Sequence, residues 1–172
     1  YGFSPRDITR GIIPPEILDS IQGAWIRFRQ DAISQLVNDT FHAIQKSRKR
    51  ISLSAAVKPN LVEARNRWNQ DWGRWIEDGY IDFVVPMNYY SEIRHFNDSV
   101  QIMKSNLNVD DINRVIMGVA THNQDAQSVA DKILLSRLNG FKGVSVFSYD
   151  AHKNNLEWFH PVTEALGIPA YD

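Results

Sequence analysis

The chain contains no cysteine and carries almost no net charge. The absence of cysteine excludes disulfide bonds and thiolate metal sites. With 19 Lys and Arg against 20 Asp and Glu, the formal net charge is -1, so the composition shows no electrostatic footprint for nucleic acid. No apolar run approaches the roughly 20 residues of a membrane span. The 43% hydrophobic content of the 172 residues predicts a folded domain with a real core.

Short apolar runs alternate with helical patterns along the chain. Near-continuous apolar stretches of this length are typical of strands in a parallel sheet buried on both faces. Between them, apolar residues recur at helical spacings. The runs begin about 30 residues apart, which is the length of one strand–helix–strand unit. The four predicted strands are Ile51–Val57, Ile81–Met87, Val115–Thr121 and Gly143–Tyr149.

This alternation predicts an α/β fold made of parallel (β/α) units. A right-handed crossover places each strand beside the one before it, and repeated units of this size build a (β/α)8 barrel of about 250 residues. Four strands supply half of such a barrel, so we expect residues 1–172 to form a single half-barrel domain. Residues 1–22, which include Pro5, Pro14 and Pro15, are predicted to be an irregular lead-in loop.

Polar and aromatic residues come after the predicted strands, where a parallel barrel has its active site. Tyrosine rings stack on the apolar faces of sugars and hydrogen-bond to their hydroxyls, and an asparagine amide donates and accepts hydrogen bonds at once. These residues therefore favour a carbohydrate ligand, and nothing in the sequence implies a cofactor. The residues predicted to bind substrate are Lys58, Asn60, Asn88, Tyr89, Tyr90, His122 and Tyr149.

Asp150 comes after the last predicted strand and is the candidate catalytic residue. A carboxylate here can transfer a proton or orient a sugar hydroxyl, although aspartate also caps helices and turns. Lys58 offers a different chemistry, because a lysine at a strand end can form a Schiff base with a carbonyl substrate. His122 and Asp125 are too few to hold zinc, so no metal site is predicted.

Three tryptophans lie on one stripe of the helix predicted between the first two strands. They are Trp68, Trp72 and Trp75, and we expect all three to pack against the sheet. Glycine-rich phosphate loops are absent from the sequence. Their absence argues against the doubly wound nucleotide-binding fold, the other common arrangement of parallel strands and helices.

Several segments resemble the glycosyl hydrolase-like 10 family, bacterial proteins with (β/α)8 barrels. The most specific are Gln70–Trp75 (QDWGRW) and Gly79–Tyr89 (GYIDFVVPMNY). Trp25–Asp31 (WIRFRQD) is similar to the family's helix after the fourth strand, and Gly140–Tyr149 (GFKGVSVFSY) is similar to its eighth strand. The resemblance implies that the chain is the C-terminal half of the barrel, strands 5–8, and that the family's acidic fourth strand lies outside it.

The resemblance implies hydrolysis of O-glycosidic bonds in a polysaccharide, with the bacterial cell-wall glycan as one candidate, at a location outside the cytoplasm. Two alternatives stay open: a carbohydrate-binding half-barrel without catalysis, and a Schiff-base aldolase that uses Lys58. A half-barrel leaves open strand edges and exposed apolar surface. We therefore expect the chain to associate with a separate N-terminal half-barrel or with a second copy of itself.

Overall fold

The computed structural model describes residue 2 and residues 4–47 and 50–168. Helices and short strands alternate through this part of the chain, as the sequence predicts. The helices are α1 (Pro5–Thr9), α2 (Pro15–Gln45), α3 (Leu61–Trp68), α4 (Trp72–Glu77), α5 (Ile93–Asn106), α6 (Val109–Ile112), α7 (Ala126–Leu138) and α8 (His160–Leu166). The strands are β1 (Ser54–Val57), β2 (Phe83–Pro86), β3 (Ile116–Ala120) and β4 (Gly143–Phe147), and two short 3-10 turns (Tyr149–Ala151 and Leu156–Phe159) come after β4.

The strands are parallel and lie side by side in chain order. β1 pairs with β2, and β3 pairs with β4, both in parallel register. Two parallel bridges, Val84–Val115 and Met87–Gly118, join β2 to β3. The predicted parallel pairing is therefore confirmed. Each strand is shorter than the apolar run that predicted it, because the hydrogen-bonded ladder leaves out residues at one or both ends of each run.

One face of this sheet is buried under the crossover helices. α3 contacts α5, and α5 contacts α7, so these helices form a layer in the order of the strands. Alternate residues along β2 and just beyond it are buried on this side, namely Val84, Pro86 and Asn88. The largest side chains that are fully buried in the core include Trp72, Phe96, Ile76, Met103, Met117 and Ile133.

The opposite face of the sheet is less covered. Phe83 and Val85 of β2 are half-buried. Ser54 and Ala56, their partners in β1, are exposed. Phe147 at the end of β4 is 52% exposed. A parallel sheet is normally covered on both faces, so the described residues leave this face, called the open face below, without its usual cover.

Helix α2 has two opposite faces that differ in their surroundings. Its inner face packs on α3 and α4: Gln30 Nε2 donates to the carbonyl of Arg65 (2.9 Å), and Trp75 Nε1 donates to the hydroxyl of Ser34 (2.9 Å). Its outer face leaves apolar side chains in solvent, although such residues are usually buried. This outer stripe consists of Trp25, Phe28 and Leu36, which are 57%, 63% and 63% exposed.

The predicted irregular lead-in over residues 1–22 is wrong where the structure describes it. Helix α1 occupies Pro5–Thr9, and α2 begins at Pro15, inside the predicted loop; Tyr1 and Phe3 lie outside the described residues. The prolines start helices here because a first-turn residue needs no N–H partner and the fixed φ of proline suits a helix. The backbone N–H of Ser4 donates to the Asp7 carboxylate (2.7 Å) and stabilises the start of α1.

The contact between β2 and β3 depends on a glycine. A Cβ atom at Gly118 would lie 2.5 Å from the carbonyl oxygen of Pro86. We expect Gly118→Ala to lower the free energy of unfolding by about 1–3 kcal/mol, because the two backbones must move apart. In the control Gly23→Ala, the new Cβ would lie 3.5 Å from Arg27 Nη1, so stability should stay unchanged or rise. Urea denaturation measures both, and equal stabilities would contradict the close approach.

Candidate functional site

The C-terminal ends of β1 and β2 open onto a cavity of about 370 Å³. Ligand sites of parallel α/β units form at this end of the strands, and pockets that hold small ligands have volumes of this order. The cavity is formed by the residues that come after the two strands and by one side of α3. Its lining consists of Lys58, Pro59, Glu63, Arg67, Trp68, Met87, Tyr89 and Tyr90.

The backbone of Lys58 is bound on both sides by side chains. Its N–H donates to Gln70 Oε1 (2.9 Å), and its carbonyl accepts a hydrogen bond from Trp72 Nε1 (3.0 Å). The Trp72 side chain is fully buried, so the second bond ties Lys58 to the hydrophobic core. Both partners belong to Gln70–Trp75, and this segment therefore fixes the point at which the chain leaves β1.

Trp68 lines the cavity, and the prediction that it packs against the sheet is wrong. Asn69 adopts a left-handed conformation (φ 57°) and ends α3 directly after Trp68. The chain therefore turns before α4, and Trp68 does not accompany Trp72 and Trp75 into the core. Its side chain is 44% exposed, and Lys58 Nζ lies 4.5 Å from its ring centroid. This cation–π contact places an ammonium group against an accessible indole face.

The cavity contains two cations and one carboxylate. Arg67 Nη1 lies 3.1 Å from Glu63 Oε1, one turn away on α3. Lys58 has no carboxylate within 4.0 Å in the part of the chain that the structure describes. Sequence reasoning missed Glu63 and Arg67 because it considered only the residues directly after strands. The sequence signal that could have found them is their closeness to Lys58 along the chain, since α3 begins three residues after Lys58.

Tyr89 and Tyr90 form the wall of the cavity at the end of β2. The Tyr89 ring stacks on Phe147 (centroids 5.6 Å apart, 9° between planes) and meets His122 edge-on at 6.4 Å. Its carbonyl accepts a hydrogen bond from Asn123 Nδ2 (2.9 Å), which ties the loop after β2 to the loop after β3. Burial raises the pKa of the Tyr89 phenol, so the group stays a hydrogen-bond donor at neutral pH. Tyr90 is 44% exposed.

His122 and Tyr149 extend the aromatic surface beyond the cavity. His122 is exposed and lies edge-on to Phe147 at 6.2 Å as well as to Tyr89. Tyr149 is 58% exposed and stacks on Phe159, with centroids 5.9 Å apart. The structure therefore brings His122 next to the predicted sugar-binding tyrosine, whereas Tyr149 lies outside the cavity lining.

Asn88 is predicted to bind substrate, but the structure buries it completely on the helix side of the sheet. Its Nδ2 donates to the carbonyl of Phe96 in α5 (3.0 Å). The cause is strand alternation: Asn88 lies on the helix side with Val84 and Pro86, and Tyr89 therefore points the other way. Asn88 Oδ1 has no hydrogen-bond partner among the described residues. Asn88 thus supports the end of β2 and does not line the cavity.

Asn60 and Asp150 also lie outside the cavity lining. Asn60 Oδ1 accepts a hydrogen bond from the N–H of Glu63 (3.1 Å) and so caps the N-terminus of α3. Asp150 lies in the 3-10 turn after β4, where 79% of its side chain is exposed, and its Oδ1 is 3.3 Å from Lys153 Nζ. The structure therefore gives the predicted catalytic residue an ion-paired position in solvent, apart from Lys58, Tyr89 and Tyr90.

Two further features bear on the chemistry of the site. Among residues 4–47 and 50–168, no group of three or more His, Asp or Glu side chains is arranged to share a metal ion. Within the same ranges, every helix is too short or too polar to cross a membrane. The arrangement that the chain does offer is an aromatic and cationic cavity at the ends of parallel strands.

These features define an α/β protein with short parallel strands and a cavity at their C-terminal ends. A family model described as glycosyl hydrolase-like 10 matches residues 11–134, and the chain belongs to this family. The resemblance carried by Gln70–Trp75 and Gly79–Tyr89 is thereby confirmed. No curated protein and no solved structure matches the chain. Because the matched range includes the whole cavity lining, family membership points to a function related to glycoside hydrolysis.

The position of Lys58 should depend on the Gln70 side chain. Gln70→Met keeps the length of the side chain and removes the acceptor of the Lys58 N–H. We expect the free energy of unfolding to fall by about 1–2 kcal/mol, because this half-buried N–H loses its partner. In the control Gln127→Met, the lost bond is to the exposed Asp131, and the change should stay below about 0.5 kcal/mol. Urea denaturation distinguishes the two, and equal losses would rule out a special role for Gln70.

Proposed function

We propose that this chain supplies strands 5–8 of a (β/α)8 barrel and part of the sugar-binding rim of a polysaccharide glycoside hydrolase. The observation that carries the proposal is the cavity in which Lys58, Trp68, Tyr89 and Tyr90 meet. Indole and phenol rings stack on the apolar faces of sugars, while a phenol O–H and an ammonium group bind sugar hydroxyls. Membership of a glycosyl hydrolase-like family supports the same chemistry.

The proposed substrate is a polysaccharide outside the cytoplasm, and the bacterial cell-wall glycan is the candidate that we favour. Support comes from the extent of the aromatic surface. Tyr89 stacks on Phe147, and His122 lies against both rings. Such a surface continues beyond the cavity and therefore suits a chain of linked sugars.

The proton donor for hydrolysis is proposed to come from outside the described residues. Most glycosidases use a carboxylic acid and a second carboxylate that lie about 5–10 Å apart. The cavity contains Glu63 as its one carboxylate, and Glu63 is paired with Arg67. Asp150 is exposed and paired with Lys153. Strands 1–4 of the intact barrel would therefore supply the acid.

The purified chain should have little or no hydrolase activity of its own. The reason is the lack of two unpaired carboxylates at the cavity. The measurement is release of reducing sugar ends from peptide-free cell-wall glycan strands. Turnover that is abolished by Asp150→Asn or by Glu63→Gln, but not by the exposed control Asp110→Asn, would contradict this expectation and identify the acid.

A carbohydrate-binding half-barrel without catalysis is the second candidate, and the same shortage of carboxylates favours it. The two candidates differ in their response to the addition of strands 1–4. A hydrolase gains turnover on mixing with that half, whereas a binding module gains only affinity. No structural observation favours the Schiff-base aldolase that would use Lys58, and family membership supports sugar hydrolysis in its place.

Sugar binding should depend on the exposed aromatic residues of the cavity. We expect Trp68→Ala and Tyr90→Ala each to weaken binding of cell-wall glycan oligosaccharides about fivefold to thirtyfold, because each removes a stacking surface. Trp25→Ala is the matched control, since Trp25 is a similarly exposed tryptophan on α2. Isothermal titration calorimetry measures the affinities. Equal affinities for all three variants would exclude this cavity as the binding site.

We propose that a separate N-terminal half-barrel covers the open face and the outer stripe of α2. In a complete barrel, helices pack side by side around the sheet. The inner face of α2 already contacts α3 and α4, so the opposite stripe is where the preceding helix would pack. The free edge of β1 lies at the same end of the sheet, since β1 pairs only with β2 among the described strands.

The outer stripe should therefore control association. We expect the purified chain to form dimers or larger species, and Leu36→Lys to shift it toward monomer, because a charge on this stripe opposes burial. Val109→Lys is the control, since Val109 is 77% exposed on α6. Multi-angle light scattering gives the masses. A wild-type chain that stays monomeric and does not bind strands 1–4 would overturn the half-barrel proposal.

A further inference from the structure

Lys132 on α7 is a lysine without exposed surface. Its Nζ donates to the carbonyl of Ser91 (2.7 Å) and to Gln124 Oε1. The side chain forms no ion pair within 4.0 Å in the described ranges. Burial of an ammonium group is unfavourable unless its protons are bound, and here two uncharged oxygen atoms accept two of its three protons.

The two partners of Lys132 belong to different loops of the site. Ser91 comes directly after Tyr90 in the loop after β2, and Gln124 lies in the loop after β3. Gln124 Nε2 in turn donates to the carbonyl of Ala120, the last residue of β3. The ammonium group therefore joins the loop that carries Tyr89 and Tyr90 to the end of the neighbouring strand.

The charge of Lys132 carries a cost in stability. Burial lowers the pKa of Lys132, and the negative charges of Asp125, Glu92 and Asp131 oppose this effect. The burial that lowers this pKa is a free-energy cost of the charged form, and it offsets part of what the two hydrogen bonds contribute. What methionine would not provide is the pair of directional bonds between the two loops.

We propose that Lys132 is a positioning residue for sugar binding. It fixes the loop after β2 against the loop after β3, and so holds the rings of Tyr89 and Tyr90 at the cavity. Lys132 itself does not touch the sugar. The inference rests on the proposed function, because it assumes that these two rings bind the glycan.

The test compares Lys132→Met with Lys142→Met, in which an exposed lysine before β4 is replaced. The probe is a peptide-free cell-wall glycan oligosaccharide. We expect Lys132→Met to bind it about tenfold more weakly once folded, since bonds from a charged donor are lost. Lys142→Met should match the wild type. A purely structural lysine would instead leave the affinity of the folded protein unchanged.

Two readouts do not require sugar. In NMR spectra with labelled tyrosine, the ring signals of Tyr89 and Tyr90 should shift or broaden in Lys132→Met, whereas those of Tyr80 and Tyr149 should not. The wild type should also gain stability relative to Lys132→Met as the pH rises toward 10.5, the ordinary pKa of lysine, because the unfolded chain binds this proton more tightly than the folded one.

The outcomes separate this inference from the proposed function. If the wild type binds no glycan, the proposed function fails, and the ring signals still decide whether Lys132 fixes the loop. If Lys132→Met does not fold, Gln124→Met removes one of the two bonds and should show the same ring shifts with a smaller loss of affinity. Wild-type affinity together with unchanged ring signals in a folded variant would overturn the inference.

Discussion

Parallel strand pairing is the constraint on which the other features depend. Neighbouring strands that run the same way must be joined by a crossover that returns the chain to the starting edge of the sheet. The residues after β1, β2 and β3 consequently lie at one edge. Lys58 and Tyr89 meet in the cavity for this reason, and His122 lies beside Tyr89. The same crossovers cover only one face of the sheet, and among the described residues the other face stays open.

The sequence predicted those features that depend on the spacing of apolar residues and on the order of the strands. Apolar runs at regular intervals indicated the strands, and the right-handed crossover indicated their order. The positions directly after strands then included Lys58, Tyr89 and Tyr90, all of which line the cavity. These successes have a common cause, since chain direction alone decides at which edge such residues lie.

The wrong predictions concern the direction in which side chains point, which the spacing of apolar residues does not decide. Asn88 and Tyr89 are neighbours, yet one is buried under the helices and the other faces the cavity; counting alternate residues from Val84 would have separated them. Trp68 was harder to place, because its exposure depends on the left-handed Asn69 that breaks the helix. Lys132 could not be recognised at all, since a lysine in a helix is usually exposed and its partners come from two distant loops.

The hydrogen bonds to the backbone of Lys58 have a consequence for how the site can change. Gln70 and Trp72 bind its N–H and carbonyl, groups that every amino acid except proline provides. The location of residue 58 is therefore independent of its side chain. An exchange there would alter the chemical groups that line the cavity while the path of the chain stays the same. Position 58 is thus a place at which ligand preference can evolve, or be engineered, without a new scaffold.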